Sequence, residues 1–220
     1  MLTYDKVRKN PQILSFTHQT EVALSAIGYT KHGLEHATLV ADRARGIAKK
    51  IGLSERIQEL ASIAGFCHDM GNFLGRKSHH YWGALLFHQV FPNEDPQETA
   101  IIMEAIANHD RRSEMKICNP VSALVILADK SDVRRSRVRD KSKENLRRDI
   151  HARVNYGTTD SKLKVDSKKR KITLSLRIDT NFVPIMEYFE IFTERMVYCR
   201  QAATFLGYQF ELVINKVKLL

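Results

Sequence analysis

A chain of 220 residues, 43% hydrophobic and 27% charged, can bury a full core as one domain or as one domain with an appendage. No run approaches the roughly 18–20 apolar residues that span a bilayer, and three dispersed cysteines, Cys67, Cys118 and Cys199, suggest neither a disulfide framework nor a thiolate zinc site. The net charge of +10 is concentrated: residues 130–171 hold 16 Lys/Arg against 6 Asp/Glu, while the rest of the chain balances at 19 against 19.

The first 138 residues read as helix after helix. Asn10-Pro11 forms an N-cap with Pro at the first helical position, opening a helix with Ile13, Phe16, Ala23, Leu24 and Ile27 that ends near Gly28. The next spaces Leu34, Ala37, Val40, Ala41, Ala44, Ile47, Ala48 and Ile51 by threes and fours and stops at Gly52. Ser54 caps a third, with Ile57, Leu60, Ala61, Ala64 and His68 on one face. Further helical patterns cover 79–91, 96–109 and 120–138, punctuated by Pro92, Pro96 and Pro120.

Residues 140–156 still read as helical, and then the period changes. Leu163/Val165 and Ile172/Leu174/Leu176/Ile178 alternate with polar residues around Asp166-Ser167-Lys168-Lys169-Arg170, predicting a β-hairpin over 161–178. Pro184 opens a long helix ending at Gly207, and 208–214 reads as a last strand. The expected architecture is mainly α: a helical domain over 1–139 and an α+β extension over 140–220 packed on it. That extension holds a basic helix, a small antiparallel sheet (hairpin plus C-terminal strand) and the long helix between them.

Several polar residues fall on faces that would otherwise be core. His36 shares a face with Val40 and, one turn back, with His32. His68-Asp69 closes an apolar run, His109 follows Ile102, Ala105 and Ile106, and Asp129 is embedded in Val125-Ile126-Leu127-Ala128-Asp129. A carboxylate buried there must be paired, protonated or bound to metal. Singly, each histidine is more often a satisfied core residue than a ligand. As an ordered set on separate helices they point to a metal site.

The set resembles the HD-domain superfamily of metal-dependent phosphohydrolases, an all-helical fold named for the His-Asp doublet. His36-Ala37-Thr38-Leu39-Val40-Ala41 is similar to its first-histidine segment, Ala64 through Asn72 to its doublet segment, and Leu127 through Asp132 to its final aspartate segment. His79-His80-Tyr81-Trp82-Gly83-Ala84 and Ala105-Ile106-Ala107-Asn108-His109-Asp110 resemble two motifs of its six-ligand, two-metal branch. The His-x-x-x-Gly-Ala spacing selects His79 over His80. That branch includes symmetrical dinucleoside-tetraphosphate hydrolases and cyclic-dinucleotide phosphodiesterases. The Gly-Tyr-Pro tripeptide of the latter does not occur here, which disfavours their substrate. Where the family often has Lys after His-Asp-x-Gly, this chain has Asn72; Lys130, Arg76, Arg111 or Arg112 are the substitutes available for contact with phosphate.

The resemblance implies metal ligation by His36, His68, Asp69, His79, His109 and Asp129, with Asp69 bridging two divalent transition-metal ions. Mixed imidazole and carboxylate ligation suits Fe, Mn, Zn, Ni or Co better than Mg. It implies cleavage of a phosphate ester or phosphoanhydride by a metal-bound hydroxide, with Asp110, His32 or Asp132 as candidates to protonate the leaving group. Lys130, Arg134, Arg135, Arg137 and Arg112 are the candidate substrate-binding residues. The expected partner is a phosphorylated small molecule, a nucleotide first. A diiron oxygenase is the runner-up. A nucleic-acid-binding module with a structural metal site, supported by Lys168-Lys169-Arg170-Lys171, stands third. A homodimer is left open. Met1-Leu2-Thr3-Tyr4-Asp5-Lys6 lacks the pattern of a signal peptide, so no membrane partner and a cytoplasmic location are expected.

Overall fold

The structure is a computed structural model that describes residues 1–110 and 116–219. Its helices are α1 (Tyr4–Arg8), α2 (Pro11–Ala26), α3 (Leu34–Lys50), α4 (Glu55–Cys67), α5 (His79–Val90), α6 (Pro96–Asn108), α7 (Pro120–Lys130), α8 (Lys143–Arg148), α9 (Ile150–Gly157) and α10 (Ile185–Phe205). The strands are β1 (Thr158–Asp166), β2 (Lys171–Ile178), β3 (Gln209–Ile214) and β4 (Val217–Lys218). Three helices start by one device, an Asx-Pro step. Asn10, Asp95 and Asn119 accept backbone N–H groups that lack intrahelical partners, and the following Pro has no N–H to satisfy.

Helix α7 is the centre of the bundle. Every residue from Val121 to Ala128 is buried, the signature of a helix surrounded by others. Helices α3, α4 and α6 pack around it, and α3 meets α4 so closely that a Cβ on Gly65 would press on the backbone of Ala41. A 3-10 turn over Met70–Leu74 follows α4 and carries the chain across α2 and α5. Helix α10 packs on α7 and on β3, so one hydrophobic core runs from Val40 and Leu124 through Phe192 and Met196 to Leu174 and Leu212. Among the described residues no helix is long and apolar enough to cross a membrane.

Three details differ from the sequence expectation. The helix predicted over 120–138 ends at Lys130. The Ser131 hydroxyl donates to the Ala128 carbonyl, and Asp132 is drawn inward by His36 and Arg134, so tertiary pairing overrides helical continuation. The helix predicted over 140–156 is two, α8 and α9, because Asp149 leaves the helical conformation and caps α9 through the His151 N–H. The sheet, ordered β1-β2-β3-β4, is mixed rather than antiparallel throughout. β1/β2 and β3/β4 are antiparallel, but β2 and β3 run parallel with Ile172, Leu174 and Leu176 opposite Phe210, Leu212 and Ile214. Parallel neighbours need a crossover, and α10 supplies it.

Candidate metal centre

Helix ends deliver the site. His36 lies in the first turn of α3, His68 and Asp69 follow the last residue of α4, His79 opens α5, His109 follows the last residue of α6, and Asp129 sits one residue from the end of α7. These helix ends converge, and the six side chains meet in one buried cluster. The four imidazoles and Asp69 are each no more than 6% exposed.

The orientation of each ring is fixed from behind. Nδ1 of His68 lies 2.7 Å from the Gly65 carbonyl, Nδ1 of His79 2.8 Å from that of Arg76, and Nδ1 of His109 2.6 Å from that of Ile106. Each of these carbonyls is three residues back; those of Gly65 and Ile106 lie in the last turns of α4 and α6, where acceptors lack an N–H, and that of Arg76 opens the short 3-10 turn before α5. Nδ1 of His36 lies 2.7 Å from Oδ2 of Asp132. A carbonyl or an ionised carboxylate only accepts, so every Nδ1 carries the proton and every Nε2 faces the cluster.

Those Nε2 atoms come in two close pairs: His36 and His68 at 3.2 Å, His79 and His109 at 3.0 Å. Asp69 divides its oxygens between them. Oδ2 lies 3.5 Å from His36 and 3.2 Å from His68, while Oδ1 lies 3.3 Å from His79 and 3.6 Å from His109. Asp129 adds Oδ1 to the first pair, at 3.3 Å from His36 and 3.7 Å from His68.

Two imidazole nitrogens facing each other at 3.0–3.2 Å need a positive charge between them, a shared proton or a metal ion. Two ligand atoms about 2.1 Å from one ion, at 90–109° to each other, stand roughly 3.0–3.4 Å apart. The donor set therefore fits divalent metal. The electrostatics agree. Burial would lower the His68 pKa, but the Asp69 and Asp129 carboxylates push it up to about 10. Burial would raise Asp69, yet the facing imidazoles, His68 first, hold it well below the usual carboxylate range. His109, where burial outweighs the attraction of Asp69, falls to about 4. The cluster demands positive charge, and mixed nitrogen and oxygen donors suit Fe, Mn, Zn, Ni or Co.

The other predicted site residues divide. Lys130 places Nζ 2.7 Å from Asp129 Oδ2 at the wall of a cleft, and Asp110 shares that wall, its Oδ2 3.9 Å from His79 Nε2. His32 is buried, with its ring 5.6 Å from that of His36 and Nδ1 2.5 Å from the Thr30 carbonyl. Burial, reinforced by Arg137, holds its pKa well below the ordinary value, favouring the neutral ring. At Asp132 burial opposes ionisation, but His36 and Arg137 hold its pKa far below the carboxylate range.

Three of the arginines are engaged structurally. Arg134 pairs with Asp132 and Glu35, Arg135 bonds the Tyr156 carbonyl and lies over its ring, and Arg137 bonds the carbonyls of Lys31 and Asp132. Arg112 lies outside the described residues. Asn72, standing where the family often has Lys, donates to Asp69 Oδ1 at 2.8 Å and accepts from Arg76 at 2.8 Å. It thereby brings the Arg76 guanidinium to 3.2 Å from His79 Nε2. Sequence reasoning missed Arg195, which lines the cleft from α10. Its signal was a charged residue on the same helical face as Phe192, Met196 and Cys199.

A model of the HD domain matches residues 33–147, a stretch that contains all six converging residues. The chain belongs to the HD domain family. Membership puts it in a superfamily of metal-dependent hydrolases whose members bind divalent metals. It is also similar to an uncharacterized protein of Methanocaldococcus jannaschii, 27% identical over 63% of this chain and 62% of the relative. The chain thus spans under two thirds of that relative's length. Within the HD domain the doublet sits where the ends of α4, α5 and α6 meet, while Arg195 and Arg148 lie beyond the matched segment.

Proposed function

We propose that this HD domain is a dinuclear phosphohydrolase acting on a phosphorylated small molecule, with nucleotides the first class to try. The observation that carries the reading is the division of Asp69: one oxygen faces His36 and His68, the other His79 and His109. One ion would be held by His36, His68, Asp69 and Asp129, and a second by Asp69, His79 and His109. When bound, such ions polarise phosphoryl oxygens and lower the pKa of water toward 7.

The chain's own residues supply the rest. The Nδ1–H bonds keep four Nε2 lone pairs aimed inward without reorganisation. Lys130 neutralises the outer oxygen of Asp129 and offers its remaining N–H donors to an incoming phosphate. Arg76, held by Asn72, brings a second cation to the other side. Asp110, on the cleft wall near His79, is the candidate to hand a proton to the leaving oxygen.

The test combines metal analysis with assays of phosphate release and oxygen uptake over a panel of nucleotides and simple phosphate esters. Two ions per chain and phosphate release abolished by Asp69→Ala are expected. Oxygen-dependent turnover without phosphate release would overturn the reading in favour of an oxygenase. Salt-sensitive nucleic-acid binding that survives Asp69→Ala, with no turnover, would make the chain a binding module.

A further inference from the structure

Arg76 and Arg195 line two adjoining clefts. The inner one, about 390 Å³, opens beside Asp110 and Lys130; the outer one, about 470 Å³, is walled by Arg137, Arg148, His151 and Asn155. Arg76 also reaches the histidine cluster, with its Nη1 3.8 Å from Asp69 Oδ1. The two clefts therefore adjoin at the Arg76 and Arg195 side chains, which line both, and the inner one lies beside the candidate metal cluster.

The outer cleft is strongly cationic. Four guanidinium side chains line it, and the single carboxylate among the lining residues, Asp149, already accepts the backbone N–H of His151. Arg137 is taken up by carbonyls and Arg76 by Asn72. Arg148 and Arg195 have no hydrogen bond or ion pair among the described residues. The Arg195 guanidinium rests over the Phe192 ring at 4.7 Å, and Asp129 and Asp110 reach it only as distant charges. Arg195 is partly buried, and burial lowers its pKa. A partly buried guanidinium whose donors have no acceptor in the protein is well placed to receive an anion.

We propose that the outer cleft binds a second phosphoryl group of the substrate, with Arg195 and Arg148 as its specificity residues. The substrate class is then a phosphate ester carrying two phosphoryl groups, one at the histidine cluster and one in the outer cleft. A cleft of this volume accommodates a nucleotide-sized molecule. The inference rests on the phosphohydrolase reading for the first phosphoryl group. It adds that residues following the matched HD segment choose the substrate, since Arg148, His151 and Arg195 all lie after residue 147.

The experiment uses the metal-loaded full chain. Values of kcat and KM are measured for p-nitrophenyl phosphate, adenosine 5′-diphosphate and adenosine 3′,5′-bisphosphate in wild type, Arg195→Ala, Arg195→Lys and Arg148→Ala. Binding of inorganic pyrophosphate and of inorganic phosphate is measured by calorimetry on the same proteins. The preference for a two-phosphoryl substrate over p-nitrophenyl phosphate should fall at least tenfold in Arg195→Ala, mainly through KM, and recover partly in Arg195→Lys. Pyrophosphate binding should weaken more than phosphate binding in both alanine variants. Equal losses for all substrates and both anions would overturn the proposal. Arg148 is exposed, so its variant decides the matter even if Arg195→Ala does not fold. If no compound releases phosphate, the phosphohydrolase reading fails while the pyrophosphate titrations still judge the cleft. If phosphate is released but preference and titrations match wild type, the cleft alone is rejected.

Discussion

Nδ1 of His36 lies 2.7 Å from Oδ2 of Asp132, a residue ninety-six positions away in the chain. The other oxygen of Asp132 takes the Arg134 Nε at 2.7 Å, so the carboxylate is locked between a cation and the ring it orients. Removing such an orienting partner typically weakens metal affinity by about 10–100-fold. Asp132→Ala is expected to show that loss in a chelator competition. Asp132→Asn, which keeps an acceptor but no charge, should fall between the variant and wild type. An affinity unchanged in both would show that the ring is held by packing alone.

The sharing of Asp69 separates the two halves of the cluster. His79→Ala should leave about one ion per chain, because His36, His68, Asp69 and Asp129 remain. Asp69→Ala should strip both, because each histidine pair loses its carboxylate. Counting metal by mass spectrometry after exhaustive dialysis distinguishes these outcomes. Added metal should also raise the melting temperature of wild type, each bound ion contributing about 2.7 kcal/mol of stabilisation at a hundredfold excess over its Kd. Asp69→Ala should give no such rise.

Four of the converging residues, His36, His68, His109 and Asp129, were legible as polar side chains where periodicity calls for core; Asp69 came with the His-Asp doublet, and His79 only through the family's His-x-x-x-Gly-Ala spacing. Helix starts were legible too, since an Asx-Pro step acts locally on backbone donors. The ends of α7 and α8 were not: the Ser131 hydroxyl bonds back to the Ala128 carbonyl, Asp132 pairs with the distant His36, and Asp149 leaves the helical conformation to cap α9. Distant partners also decide which arginines are available. Arg134, Arg135 and Arg137 looked free to bind phosphate, yet Asp132, the Tyr156 carbonyl and the Lys31 carbonyl occupy them. Arg195 was missed because α10 meets the cleft only through the crossover that makes β2 and β3 parallel, a pairing the strand pattern does not encode.

Gly71 marks the place where the turn after α4 touches α5. A Cβ there would fall on the carbonyl oxygen of His79 and the backbone nitrogen of Gly83, atoms that cannot swing aside. Gly71→Ala must push α5 away and carry His79 with it, at a cost of about 3 kcal/mol and with reduced occupancy of the second metal position. Gly46, inside α3 with nothing within 4 Å of its added Cβ, is the control. Gly46→Ala should stabilise by roughly 0.5–1 kcal/mol. Urea midpoints of the two variants, read beside metal content, would contradict this account if both moved in the same direction.

Glu211 ties three strands together through its side chain. Its Oε1 accepts Lys171 from β2 at 2.6 Å and Lys218 from β4 at 2.7 Å, and its Oε2 accepts the Thr173 hydroxyl at 3.2 Å. The two lysine bonds pull its pKa from the ordinary 4.5 down to about 2. A carboxylate whose pKa falls on folding stabilises the protein above its unfolded value, and that contribution is lost as pH drops from about 4.5 through 2. Both lysines reach toward solvent, so each pair contributes at most about 1 kcal/mol. Glu211→Gln should therefore melt a few degrees below wild type at pH 6, and the gap should close as pH approaches 2. A gap that stays constant from pH 6 to 2.5 would mean that the amide disturbs packing in the sheet, with the charge irrelevant.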